Sequence, residues 1–419
     1  MLRINRNRAI IAIIALFLAI NPISLLGQNN TSSPYTRYGY GALADRSFGA
    51  GRAMGGIGYG LRSNKQINPM NPASYSSMDS LTFIFDFGIS GQMSWFSDGV
   101  NTDLSRNGNL EYVAMQFPIH RQVALSFGLL PYSYVGYLFG AHTSGANPYT
   151  ESFVGKGGLN DVYGGLSIDI WKKRLSLGAN ISYLFGNLSH VQTLYFDSEV
   201  VGASASERTQ SLTVNDIKLD FGLQYTHPIS RYEHYTVGLA FSPGKQLKAI
   251  SSDISKTGNL AGDTVSISDQ KFDMASSLGF GLSYVKQNKL TLAADFLYEP
   301  WSGSRFFDNT GQFQNRMRAA LGVEYIKDFS SKNFFNKTRY RAGIHYGNSY
   351  LQIKNKGYNE IGASFGLGIP LVDNRSLLNI GFEYVQVQPE VKTMINERYF
   401  RITINYTFNE GWFYKFKVD

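Results

Sequence analysis

The feature that most constrains this chain is alternation with a period of two. Phe400, Ile402, Ile404, Tyr406 and Phe408 share one parity; Arg401, Thr403, Asn405 and Thr407 share the other. A strand sends successive side chains to opposite faces, so such a stretch predicts a strand with one apolar and one polar face. The same pattern runs through 175–183, 219–225, 278–284, 317–325, 340–346 and 378–384. It predicts about fourteen strands, near 80–96, 108–119, 121–139, 148–171, 174–197, 207–226, 232–254, 264–286, 288–301, 313–327, 337–354, 357–369, 375–389 and 397–408. In a soluble sandwich the apolar face would be the core. In an outer-membrane barrel it faces lipid and the polar face lines the lumen.

Composition chooses between these. Only 17% of residues are charged, against about 25% in an ordinary soluble protein. The reading is therefore an all-β, transmembrane antiparallel β-barrel of about fourteen strands in a bacterial outer membrane. The net charge of +8 includes Arg3, Arg6 and Arg8, and no basic block or nucleic-acid motif accompanies it, so nucleic acid is excluded as a partner. The chain has no Cys, which excludes a lipoprotein anchor, disulfides, a metal-thiolate site and a Cys nucleophile.

The N-terminus reads as an export signal over residues 1–27. Arg3, Arg6 and Arg8 precede the apolar run Ala9–Ile20, and Gly27-Gln28 is the expected cleavage point. Residues 28–79 read as a hatch or plug, 80–408 as the transmembrane barrel and 409–419 as a periplasmic tail. Long polar links such as 97–107 and 255–263 alternate with tight ones at 118–121, 172–173 and 287–288. Long links belong outside the cell and short turns in the periplasm. The first strand then runs outward and the last ends in the periplasm. The long link 328–336 and the short link at Asn355-Lys356 break this alternation.

A local phrase, Gly-apolar-any-Tyr, recurs at Gly222–Tyr225, Gly281–Tyr284, Gly322–Tyr325, Gly343–Tyr346 and Gly381–Tyr384. It places Tyr on the apolar face, where a ring suits the membrane interface. It places Gly on the lumen face, where it leaves room for an internal filler or lets the strand coil.

Residues 28–79 do not alternate. They contain Gly49, Gly51, Gly55, Gly56, Gly58 and Gly60, and the turn-forming pairs Asn68-Pro69 and Asn71-Pro72. Their apolar members, among them Phe48, Met54, Ile57 and Ile67, need a place to be buried. The lumen of a fourteen-strand barrel is wide enough to supply it; a free periplasmic extension is the alternative.

Gly49–Gly56 followed by Asn71-Pro72-Ala73 resembles the N-terminal hatch of the FadL-type outer-membrane transporters of hydrophobic compounds. The 127–132, 157–159 and 318–325 stretches fit the same family, and the opening Ser33–Gly39 resembles a Bacteroidetes branch of it. The resemblance implies a hatch at Asn71, Pro72, Ala73, Gly55 and Gly56. It also implies a kinked third strand near Pro131, and passive, hatch-gated passage of hydrophobic small molecules such as long-chain fatty acids. Its partners would be a hydrophobic ligand or lipid, outer-membrane lipids and lipopolysaccharide. The alternative is a non-transport partner or shuttle barrel of a type IX-like secretion system, with another outer-membrane protein as partner. No nucleophile elbow, metal-ligand cluster or phosphate loop is present, so neither an enzyme nor a cofactor is expected.

One polar constellation remains. Arg316, Arg318, Glu324, Arg339, Arg341, His345, Glu383 and Arg401 have lumen-facing parity near the C-terminal end, and strand closure is expected to bring Asp86 near them. They read either as ion pairs that hold the plug or as a basic patch for an anionic head group.

Overall fold

The computed structural model describes residues 30–411 apart from 146, 172–173, 198–203, 259–262, 268–269 and 372–374. The expected signal peptide and residues 412–419 lie outside the described residues. Fourteen antiparallel strands make one closed barrel. They are β1 (Thr82–Ser97), β2 (Thr102–His120), β3 (Val123–Thr143), β4 (Tyr149–Trp171), β5 (Leu175–Phe196), β6 (Ser206–Ser230), β7 (Glu233–Ser242), β8 (Ser277–Lys286), β9 (Leu290–Glu299), β10 (Arg316–Ile326), β11 (Arg339–Asn348), β12 (Tyr358–Pro370), β13 (Leu377–Pro389) and β14 (Asn396–Gly411). β14 pairs with β1 from Asn396↔Ser97 to Gly411↔Thr82 and closes the ring. Closure pairs the last strand with the first, and a closed ring is what lets strands stand in hydrocarbon.

The alternation is realised inside out. In β6 Lys218, Asp220 and Gln224 are 3%, 5% and 0% exposed, while Ile217, Leu219 and Phe221 are 53%, 41% and 46% exposed. An apolar exterior around a polar interior is stable against lipid and costly against water. No helix among the described residues is long and apolar enough to cross a membrane.

Three strands are markedly shorter than the alternation predicts, the expected 264–286 strand being cut to Ser277–Lys286 because Asp263–Ile267 pairs instead with Ala249–Thr257. β7 stops at Ser242, before Pro243-Gly244, because Pro cannot donate to a ladder. The apolar residues beyond form a separate strand, Ala249–Thr257, which pairs with the outer half of β6 and with Asp263–Ile267. β11 ends at Asn348, so its link to β12 is long, as its position requires. Lys354 and Asn355, with φ of +51° and +62°, form only the tip of that link. The long link expected at 328–336 spans 327–338 and contains the helical turn Phe334–Lys337.

The wall has one discontinuity. β2 and β3 pair from His120↔Val123 only as far as Val113↔Leu129. Beyond it β3 keeps its ladder to β4, and β2 keeps its ladder to β1, but they no longer meet each other. The β3 register shifts at Pro131/Ser133, next to the proline that lacks a donor. The N-terminal segment fills the gap. Ala42 and Leu43 pair with Tyr134 and Ser133, and Ala44 N–H donates to Tyr132 O at 2.9 Å. Thr36 Oγ1 bonds both the N–H and the carbonyl of Gly136 at 3.1 Å. On the β2 side Ser32 bonds Ser105 and Asn107, and Asn109 donates to Asn30 O.

From there the segment packs against the polar inner face. The recurring glycines show how closely. A Cβ at Gly222 would collide with Asn71, at Gly281 with Gly60, and at Gly322 and Gly343 with Met54. Gly381 differs: a Cβ there would meet Ala53 only at ordinary contact distance.

Candidate functional site: the barrel interior

Between the long-link and short-link ends the interior changes chemistry. The outer layer is aromatic. Trp301, Phe306, Phe313, Tyr350 and Tyr358 come from the wall and long links and are buried. Tyr35 and Tyr40 of the N-terminal segment insert among them, with ring centroids 4.4 Å from Tyr358 and 5.0 Å from Phe306. Their hydroxyls are satisfied, as buried tyrosines require: Tyr35 donates to Ile395 O at 2.5 Å and Tyr40 to Asp273 O at 3.1 Å. Tyr350 in turn donates to Gly41 O at 2.6 Å.

Beneath lies a cavity of about 210 Å³ with charged walls. Ion pairs cross it, while Glu360 and Glu397 in the same lining have no cationic partner within 4 Å among the described residues. Arg52 pairs with Glu111 at 2.6 Å, Arg318 with Asp45 at 3.3 Å, Arg316 with Glu299 at 3.0 Å and Arg401 with Glu383 at 3.1 Å. Burial works against the Asp45 charge, but Arg318 and Arg52 hold its carboxyl down to about 2.

The third layer consists of polar contacts between the segment and the wall. Asn71 caps the short helix Pro72–Ser77, accepting from Ala73 N–H at 3.1 Å, with Pro72 at the first helical position, where no N–H is needed. Its amide nitrogen donates to Tyr59 O at 2.9 Å and to the Leu223 and Leu239 carbonyls at 3.2 Å. Asn68 joins the glycine loop to the same turn, donating to Gly58 O at 2.6 Å and Leu61 O at 3.1 Å. Asp295 accepts the Gly58 and Tyr59 amides at 2.6 and 2.8 Å, and Gly55 N–H donates to Ser364 Oγ at 2.8 Å. Arg62 closes the layer against Asp169 at 2.6 Å.

The constellation expected from sequence is not one patch. Arg316 holds Glu299. Arg318 holds Asp45 and the carbonyls of Gly55 and Gly56. Arg339 and Arg341 share Glu324 at 2.7 Å each, wall to wall, with Arg341 also on Asn379. Arg401 holds Glu383 and Gln92. Of the five arginines, Arg318 is the one that grips the N-terminal segment. Asp86 does not join them: it accepts from Tyr112 and Thr407, both at 3.1 Å. Sequence reasoning missed Arg52, Glu111, Asp295 and the aromatic layer. The Asn-Pro repeat was the signal that could have implicated Asn68. No group of three or more His, Asp and Glu residues suited to a metal occurs among the described residues.

A family model described as BamG matches residues 8–419, and the chain belongs to that family. No curated protein matches it. Its fold is similar to that of several solved barrels. The CymD monoaromatic hydrocarbon channel is 13% identical, with 90% of this chain and 99% of that one covered and a TM-score of 0.56. The Ralstonia pickettii toluene transporter TbuX is 14% identical over 86% and 98%, at 0.57. A Pseudomonas aeruginosa FadL homologue is 14% identical over 88% and 99%, at 0.56.

Proposed function

We propose that this member of the BamG family is an outer-membrane barrel that passes hydrophobic small molecules passively, with residues 28–79 as its hatch. The observation that carries this is the β2–β3 gap. It is a hole in a membrane-facing wall, closed by the chain's own N-terminal segment and bordered by an aromatic layer. The hydrocarbon channels and the FadL homologue share the fold, and long-chain fatty acids are one ligand class that suits it.

In this reading a ligand enters from the long-link side and partitions into the aromatic layer. There it competes with Tyr35 and Tyr40. Displacing them draws Ala42 and Leu43 off β3 and uncovers the gap. Release is then lateral, into lipid. The axial path crosses the ion-paired cavity, where apolar surface gains nothing and charges would lose solvation.

The cysteine-free chain permits a direct test. Leu43→Cys with Ser133→Cys joins facing residues of the segment and β3. Uptake of toluene or a fluorescent fatty acid by cells carrying the double variant should stop on oxidation and return on reduction. Uptake that ignores the cross-link sinks the mechanism.

One observation favours the second reading, a non-transport partner barrel such as a secretion-system shuttle. The aromatic layer is filled by the chain's own tyrosines, and every arginine of the cavity wall is held by a carboxylate. No uptake even in the reduced variant, together with a stably co-purifying outer-membrane protein, would select it.

A further inference from the structure

The cations at the short-link end behave unlike those of the interior. Each of the six short-end links carries Lys or Arg, although most are only a few residues long. Inside the barrel Arg46, Arg52, Arg62, Lys218, Arg318 and Arg401 all have carboxylate partners. At the rim Arg121, Arg174, Arg231, Lys289, Lys327 and Lys332 have none within 4 Å among the described residues.

Aromatic side chains accompany these cations. Arg174 lies 5.9 Å from the Trp171 ring and Arg231 5.7 Å from that of Tyr232, and both rings are more than half exposed. The 327–338 link adds Phe334 and Phe335, 52% and 69% exposed, packed edge to face at 5.6 Å. Its position settles which way it looks. Tyr340 has the outward parity, opposite to the inward Arg339 and Arg341, and its hydroxyl donates to Phe335 O at 3.1 Å. The helical turn is therefore folded over the outside of the barrel, not under the lumen.

We propose that this rim is a binding belt for anionic phospholipid headgroups, with Phe334 and Phe335 seated in the acyl boundary and the unpaired cations on the phosphates. Amphipathic aromatic anchors next to Lys and Arg match a lipid interface, and each cation contributes about 1 kcal/mol at an anionic surface. A water-exposed protein contact would leave Phe335 on the lipid side with no partner. The inference rests on the membrane reading above but not on transport.

The test uses the full-length barrel in nanodiscs of phosphatidylethanolamine, alone or with phosphatidylglycerol or lipid A. Lipids retained after extraction are counted by native mass spectrometry. Wild type should retain phosphatidylglycerol preferentially, and high salt should remove the preference. Arg231→Gln with Lys327→Gln and Lys332→Gln should weaken retention roughly a hundredfold at low salt, with an unchanged melting temperature. Phe334→Ser with Phe335→Ser should weaken it independently of salt. Equal retention of neutral and anionic phospholipid, a preference for lipid A, or a charge variant that retains phosphatidylglycerol normally would each overturn the proposal. Failure of the barrel to insert into any bilayer would instead overturn the membrane reading.

Discussion

Two lengths of the N-terminal segment meet the same barrel in different ways. Residues 45–77 are joined to it through buried ion pairs, a capped helical turn and backbone pressed against lumen glycines. Residues 33–44 are held by ring packing, a two-residue ladder and a few hydroxyl bonds. The first kind of attachment depends on many exact placements and fails as a unit. The second is mostly apolar area, which another apolar body of similar shape can replace. In the proposed mechanism this difference says where motion belongs: the inner length would be the anchor and the outer length the part that leaves.

The strongest way to break this contrast is Gly343→Val. Its side chain would occupy the place of the Met54 and Gly55 backbone, so the inner length should be expelled. Single-channel recordings should show large, persistent openings; a quiet channel would mean that the inner length is not the seal. Arg52→Ala comes next. It strands Glu111 in a buried site, a loss of about 3–5 kcal/mol. Protease should then cut residues 45–60 in intact membranes, and adding Glu111→Gln should restore part of the protection. Tyr350→Phe is smaller. It removes the bond to Gly41 O at about 1–3 kcal/mol, and amide exchange should quicken in 33–44 while 45–77 stays protected. The smallest effect is that of pH. Asp45 is held near 2 against an ordinary 3.8. A depressed carboxyl contributes above its unfolded value and loses that contribution as pH falls through the folded one. Protection of the inner length should be flat down to about pH 4 and decline between 4 and 2.

The barrel was legible because period two survives in any register: Lys218 to Tyr225 states which side is which whether or not the neighbours are known. Strand ends were less so. Ile250 and Ile254 alternate well enough to continue β7, and only Pro243-Gly244 says that they do not. The glycine phrase was half legible. It marked Gly222, Gly281, Gly322 and Gly343 as making room, but not for what. The charged layer was the hardest. Parity placed Arg316, Arg318, Arg339, Arg341 and Arg401 inside, yet it carries no height along the barrel, so separate pairs looked like one patch. Arg52 and Glu111 were invisible, since nothing local in a glycine-rich segment says which of fourteen strands it will touch. Asn71 was the exception, because an Asn-Pro pair specifies its own cap.

The order of synthesis gives the seam between β14 and β1 a further meaning. The segment made first binds early strands and also strands made last: Gly55 reaches Ser364 across 309 positions and Ser33 reaches Glu397 across 364. Until the final strands arrive, the part of its receptor that holds Gly55 and Ser33 does not exist. Contacts so distant along the chain form slowly, so the segment has to wait unfolded or be kept apart until the ring shuts around it. The barrel is thus loaded during assembly rather than afterwards, and a cell that makes it has to manage an exposed glycine-rich leader for the whole of that interval.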